Sequence, residues 1–196
     1  MKTILLKPFE KYQETQLLAI GSLATIIGGS IAYILGGRFD GVLDFHLDSN
    51  ISIPQAILDS SINIVCLVLL LFIAAKYLNV KTRLIDIITT VIIARIPLYF
   101  VPLLTIGGKL KAATTEIVAL ITPENIQNIQ GNIPTESLVI VMIFAIVSLL
   151  FLIWSIALMY NGYKTATNAK GKKAIVLFCI ALLGAEILSK ILIFSF

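Results

Sequence analysis

Residues 138–160 read LVIVMIFAIVSLLFLIWSIALMY, a run of 23 residues without a single charge. At a helical rise of about 1.5 Å per residue the run is about 34 Å long, enough to cross the roughly 30 Å hydrocarbon core of a bilayer. Hydrocarbon offers no water to a free backbone, so a run of this kind must be helical there. Working outward, four more apolar runs of spanning length follow the same logic, at about 16–36, 56–75, 84–106 and 174–196. The whole chain agrees with them. It is 58% hydrophobic and 13% charged, with a mean hydropathy of +0.99, where soluble domains hold about 45–50% apolar and about 25% charged residues. The expectation is an all-α polytopic integral membrane protein, a single transmembrane domain over residues 1–196 built as a five transmembrane helix bundle.

The charges lie between the runs and read as topology signals. Lys2, Lys7, Lys11, Lys76, Lys81, Arg83, Lys164, Lys170, Lys172 and Lys173 fall in segments that share one side of a five-span chain. The opposite side holds only Arg38, Lys109 and Lys111, against Asp40, Asp44, Asp48, Asp59, Glu116, Glu124 and Glu136. Ten basic residues against three predict a cytoplasmic N-terminus and an outside C-terminus. The same interleaving turns the net charge of +4 away from nucleic acid. The lipid bilayer is the expected partner, in the cell (inner) membrane if the chain is prokaryotic. The first run starts too late and extends too far for a typical cleaved signal peptide, which predicts an uncleaved first span.

Within the third run Pro97 and Pro102 lie five residues apart beside Asp86 and Arg95, which predicts a kink or break. The connection over residues 107–137 is long. Leu110, Ala113, Ile117 and Leu120 recur there at helical spacing and predict a short surface helix, after which Pro123, Asn125, Asn128, Gly131, Asn132 and Pro134 break regularity. Cys66 and Cys179 both sit inside apolar runs and form no metal or disulfide pattern. No glycine pair is followed by the Lys-Ser or Lys-Thr of a phosphate loop. No catalytic residue, cofactor or metal is assigned from the sequence.

Two constellations could carry chemistry. Asp40, Asp44, His46 and Asp48 crowd the first acidic connection, and three carboxylates with an imidazole are able to hold a divalent cation. Their spacing matches no named loop, and the plainer reading is a solvated acidic loop that folding does not need. Arg95, Glu186 and Lys190 are the sharper group. Counting along spans three and five places Arg95 roughly 16 Å and Glu186 roughly 18 Å from the basic side, so the two share a depth. An intramembrane ion pair is the expectation, with Lys190 one helical turn from Glu186; a polar site for an ion, proton or substrate is the functional alternative. Small residues at four-residue spacing, Ala24, Gly28 and Ala32 in span one and Ala181, Ala185 and Ser189 in span five, predict close helix packing within the bundle and leave a homo-oligomer open.

The stretch from Trp154 through Tyr160-Asn161-Gly162-Tyr163-Lys164-Thr165-Ala166-Thr167 to Lys170-Gly171-Lys172 resembles the closing helix-loop-helix of the Yip family of five-span membrane proteins. The aromatic end of span four, the Gly-Tyr-Lys turn and the basic Lys-Gly before span five carry the resemblance over about 40 residues. It implies a five-helix bundle with a cytoplasmic N-terminus and no known catalytic residues. The family's eukaryotic members associate with Rab-type GTPases in vesicle traffic and carry a long cytosolic N-terminal region, where this chain has about 15 residues. The resemblance therefore points to a compact relative, a non-catalytic membrane organiser or interaction partner, and not an enzyme. The alternative from another class is a small transporter, or the membrane subunit of one, using the midplane Arg/Glu site.

Overall fold

A computed structural model describes residues 5–48, 50–120 and 134–195. They are all-α apart from one two-residue ladder. The helices are α1 (Glu14–Ile34), α2 (Ile53–Leu78), α3 (Leu84–Ala94) continued by a 3-10 helix (Ile96–Thr105), α4 (Lys109–Leu120), α5 (Thr135–Thr167) and α6 (Lys172–Ile193). All but α4 are long and apolar enough to cross a membrane, counting α3 with its continuation as one. This is compatible with a multi-pass integral membrane protein, and each of the five falls on one of the expected spans. Reciprocal side-chain caps start two of them, Gln13 with Gln16 on α1 and Ser52 with Gln55 on α2, which satisfies backbone N–H groups that a helix start leaves free.

The third span is the axis of the bundle. Of its most apolar stretch 72% is buried, against 6% for the fourth span. The physical reason is its irregular backbone. The break expected from Pro97 and Pro102 falls at Arg95, where the ladder shifts from α to 3-10 and Leu98 donates to the Arg95 carbonyl. The Ala94 carbonyl thereby loses its helical donor. Ser155 of α5 replaces it, donating from Oγ at 2.7 Å. Such a segment is tolerable at membrane depth only where protein covers it. Around it Leu67, Leu71, Ile87, Val91, Met159 and Tyr163 are completely buried in one core.

The small-residue faces do what their spacing predicts. Ala181, Ala185 and Ser189 are buried on α6, and Gly28 of α1 lies so close to the third span that a β-carbon there would sit 2.2 Å from Tyr99 Cγ. The short helix expected in the long connection is α4, with Leu110 and Ala113 buried. The irregular stretch predicted after it, from Pro123 to Asn132, lies outside the described residues. One expectation needs correcting: Gly162-Tyr163-Lys164 is not a turn. Helix α5 runs on past Tyr160 to Thr167 and ends at Asn168, whose φ of 48° is left-handed. Gly162 faces Thr90 and the Tyr163 ring packs on Phe178, so tertiary contact extends the helix where composition suggested a hairpin.

Candidate functional site

The connection between α1 and α2 is not a solvated loop. Gly36, with a left-handed φ of 70°, turns the chain, and the ladder pairing Gly37 with Leu47 and Arg38 with His46 closes the neck of an Ω-shaped excursion. Residues 39–45 between these strands fold inward as a wedge. Phe39, Asp40 and Val42 are buried, and Val42 joins the core of Leu67, Leu71 and Met159. Backbone that enters a bundle must have its polar groups met, and each of three elements supplies a partner. Asn63 of α2 donates to the Phe39 carbonyl at 2.6 Å. Arg95 donates from Nη1 to the Val42 carbonyl at 2.7 Å, and Leu43 N–H donates to Glu186 Oε2 at 2.8 Å.

The last two contacts grip one peptide unit, since the Val42 carbonyl and the Leu43 N–H belong to the same amide. Its negative end faces the guanidinium and its positive end faces the carboxylate, so the amide dipole lies favourably between opposite charges. This corrects the expected direct pair. Arg95 makes no ion pair with Glu186; both side chains reach the same level of the bundle, but the 42–43 peptide stands between them. Glu186 and Lys190 are brought together at 3.2 Å, and Lys190 also donates to Asp44 Oδ2 at 2.7 Å. Gly41 is required by this crowding, because a β-carbon there would lie 2.6 Å from Glu186 Oε1 and 2.9 Å from Lys190 Cε.

The acidic residues at the neck are likewise engaged. Arg38 holds Asp59 of α2 at 2.8 Å, with Asp59 nearly inaccessible. His46 Nδ1 lies 2.8 Å from Asp40 Oδ1 and 3.8 Å from Asp44 Oδ1. Burial by itself would raise the Asp44 carboxyl, but the hydrogen bond from Lys190 and the charges of His46 and Lys190 hold it below its ordinary value. One oxygen each of Asp40 and Asp44 and a His46 nitrogen all lie within 4.8 Å of one another. The donor set therefore exists, yet the Lys190 ammonium already neutralises Asp44, and no metal is assigned to it. The expectation that these aspartates are all solvated is overturned for Asp40, which is 6% exposed.

Arg95 is 1% exposed. A charge at the bilayer centre costs about 2.5–3.5 kcal/mol on insertion scales. The charge-assisted bond to Val42 returns about 1.5–3 kcal/mol. The rings of Phe39 and Tyr99, at 5.7 and 6.0 Å from the guanidinium carbon, add a fraction of a kcal/mol each at that range, by about the exposed-site figure. These contacts offset part of that cost. Arg95 Nε and Nη2 nevertheless face no acceptor among the described residues.

The partners that sequence reasoning missed are Phe39, Asp59, Asn63 and the 42–43 peptide. Asp59 and Asn63 carried a signal, being polar, four apart and so on one face of a largely apolar helix. Taken together, the fold and the wedge define an all-α bundle with five helices of membrane-spanning length and one inward-folded loop held by buried charges. No protein family, no curated protein and no solved structure matches the chain. The likeness to the Yip family accordingly has no support beyond the residues 154–172 that suggested it.

Proposed function

We propose that this chain is a non-catalytic multi-pass membrane protein, an organiser or docking partner within the bilayer, with its N-terminus in the cytoplasm. The observation that carries the reading is that the deep charges are committed to the chain's own structure. Arg95 and Glu186 hold the wedge peptide, and Lys190 bridges Glu186 to Asp44. A transport or catalytic site needs such groups free for a substrate. The outward faces of the helices, with Ile143, Ile146 and Leu150 of α5 exposed, suit lipid or a partner helix. Membership of the Yip family would agree with this reading and belongs to the same proposal.

The test is photocrosslinking from Ile143, Ile146 or Leu150 in native membranes, paired with flux measurements on the reconstituted chain. A discrete adduct, with proton and chloride flux no greater than in empty vesicles, is the expected result. One observation favours a transporter instead, namely the two unpartnered Arg95 N–H groups at the break of the third span, where interrupted helices build substrate sites. Flux that Arg95→Leu abolishes in a folded bundle would replace the first reading with the second.

A further inference from the structure

The end of the bundle opposite the wedge carries its charge differently. Its carboxylates are spent locally, Glu10 on Lys7 at 3.1 Å and both Glu14 and Asp86 on Arg83. Among the described residues Lys11, Lys76, Lys81, Lys164, Lys170, Lys172 and Lys173 have no carboxylate within ion-pair distance. That surplus is not evenly spread. The N-terminal arm lies along the last turns of α5, fastened by Trp154 Nε1 donating to the Leu5 carbonyl and Asn161 Nδ2 to the Leu6 carbonyl, each at 2.8 Å. Between arm and helix is a groove of about 260 Å³ lined by Lys7, Glu10, Asn161, Lys164, Asn168 and Lys170.

We propose that this groove binds the phosphate headgroup of an anionic phospholipid. Lys164 and Lys170 supply charge that nothing in the described chain neutralises. Lys7 can exchange Glu10, an exposed partner, for a phosphate oxygen. The Asn168 side chain adds an uncharged donor. What selects a lipid over free phosphate is the apolar surface beside the groove: Leu5 and Leu6 are exposed next to Lys7, and Trp154, bonded to the Leu5 carbonyl, continues that surface along α5. Acyl chains running along them would complete an amphiphile whose head lies among the lysines. Basic pockets of this kind at the ends of membrane helices suit anionic headgroups.

The inference rests on the basic end lying at a bilayer surface, as the proposed function requires. Flotation separates the two. A chain that does not insert fails to float with vesicles of any composition, whereas a missing headgroup site leaves flotation intact and removes only the lipid preference. The decisive measurement is native mass spectrometry of the full chain in detergent, titrated with phosphatidylglycerol, with phosphatidylcholine of the same chains, and with inorganic phosphate. Phosphatidylglycerol adducts should exceed phosphatidylcholine adducts. Lys164→Gln with Lys170→Gln should weaken them by at least about tenfold, since each lysine near an anionic surface contributes about fivefold. Arg at both positions should retain them, and Lys172→Gln with Lys173→Gln, which do not line the groove, should change them by less than about twofold, because in detergent there is no charged bilayer surface for a lysine outside the groove to meet. Equal adducts of the two lipids, an equal loss in the control pair, failure of the Arg pair in a folded chain, or displacement by inorganic phosphate at equal concentration would each overturn the site.

Discussion

The connection after α1, residues 35–52, and the hairpin between α5 and α6, residues 168–171, differ in length and both carry charge, yet one folds into the bundle and the other stays at its surface. In the acidic connection, Phe39, Val42 and Leu43 are interspersed with the aspartates, and Gly41 allows the chain to pass against Glu186. Two of its charges meet an opposite one, Arg38 with Asp59 and Asp44 with Lys190, and buried Asp40 takes the His46 ring at 2.8 Å. The hairpin from Asn168 to Lys173 has lysines, glycine and alanine but no large apolar side chain to bury. Its lysines therefore remain solvated. The lesson is that charge count does not decide whether a loop is solvated; what decides is whether apolar side chains and buried partners can offset the cost of desolvating the charges.

The largest effect that would test this contrast is expected at Arg38 and Asp59. Removing one partner of a buried pair costs about 3–5 kcal/mol, while removing both costs less. Arg38→Met and Asp59→Leu should each lower the detergent melting temperature markedly, and the double variant should recover much of the loss. Simple additivity would mean that the wedge is not anchored by this pair. Arg95→Leu combined with Glu186→Leu should show no such recovery, because the two grip opposite ends of one peptide and each loss orphans a different atom.

A middle-sized effect is expected from replacing Asp40, Asp44 and Asp48 together by Asn. Losing charge-assisted bonds of this kind costs about 1–3 kcal/mol, so the melting temperature should fall, where a solvated loop would leave it unchanged. Acid sharpens the test. The Asp44 pKa is lower folded than unfolded, so its stabilising contribution is complete above about pH 4 and is lost as pH falls through the lower folded value. Melting of the parent should drop over that window more steeply than melting of the triple variant. Parallel curves would return Asp44 to the solvated class.

The smallest effect is expected at the other end. Changing Lys164, Lys170, Lys172 and Lys173 together to Gln should move stability in lipid-free detergent by no more than about 0.5 kcal/mol, as for surface substitutions that touch no buried group. A loss as large as that of the aspartate variant would erase the contrast between the two ends.

Much of the architecture was legible because membrane-spanning length and hydropathy are local properties. The five apolar runs, the break near Pro97 and the helix holding Leu110 and Ala113 could be read directly. The depth of Arg95 and Glu186 could be counted along their helices, and the contact of Lys190 with Glu186 follows from four-residue spacing. What could not be read was the wedge. Its aspartates look solvated until Asp59, Asn63, Arg95 and Glu186 converge on it from three different helices.

The amino-acid sequence by itself determined which segments are helical and apolar, because a backbone in hydrocarbon has to bond within its own segment. It also determined the excess of lysines at one end and of aspartates at the other. Only the tertiary structure decided that the third span is the buried axis, that helix α5 continues through Gly162, and that the acidic connection turns inward. Each of these depends on groups far apart in the chain meeting in three dimensions: Ser155 on the Ala94 carbonyl, Thr90 against Gly162, and Arg95 with Glu186 on a single peptide. A hydrogen bond between residues 53 or 143 positions apart leaves no periodic trace along the chain, which is why it had to be seen folded.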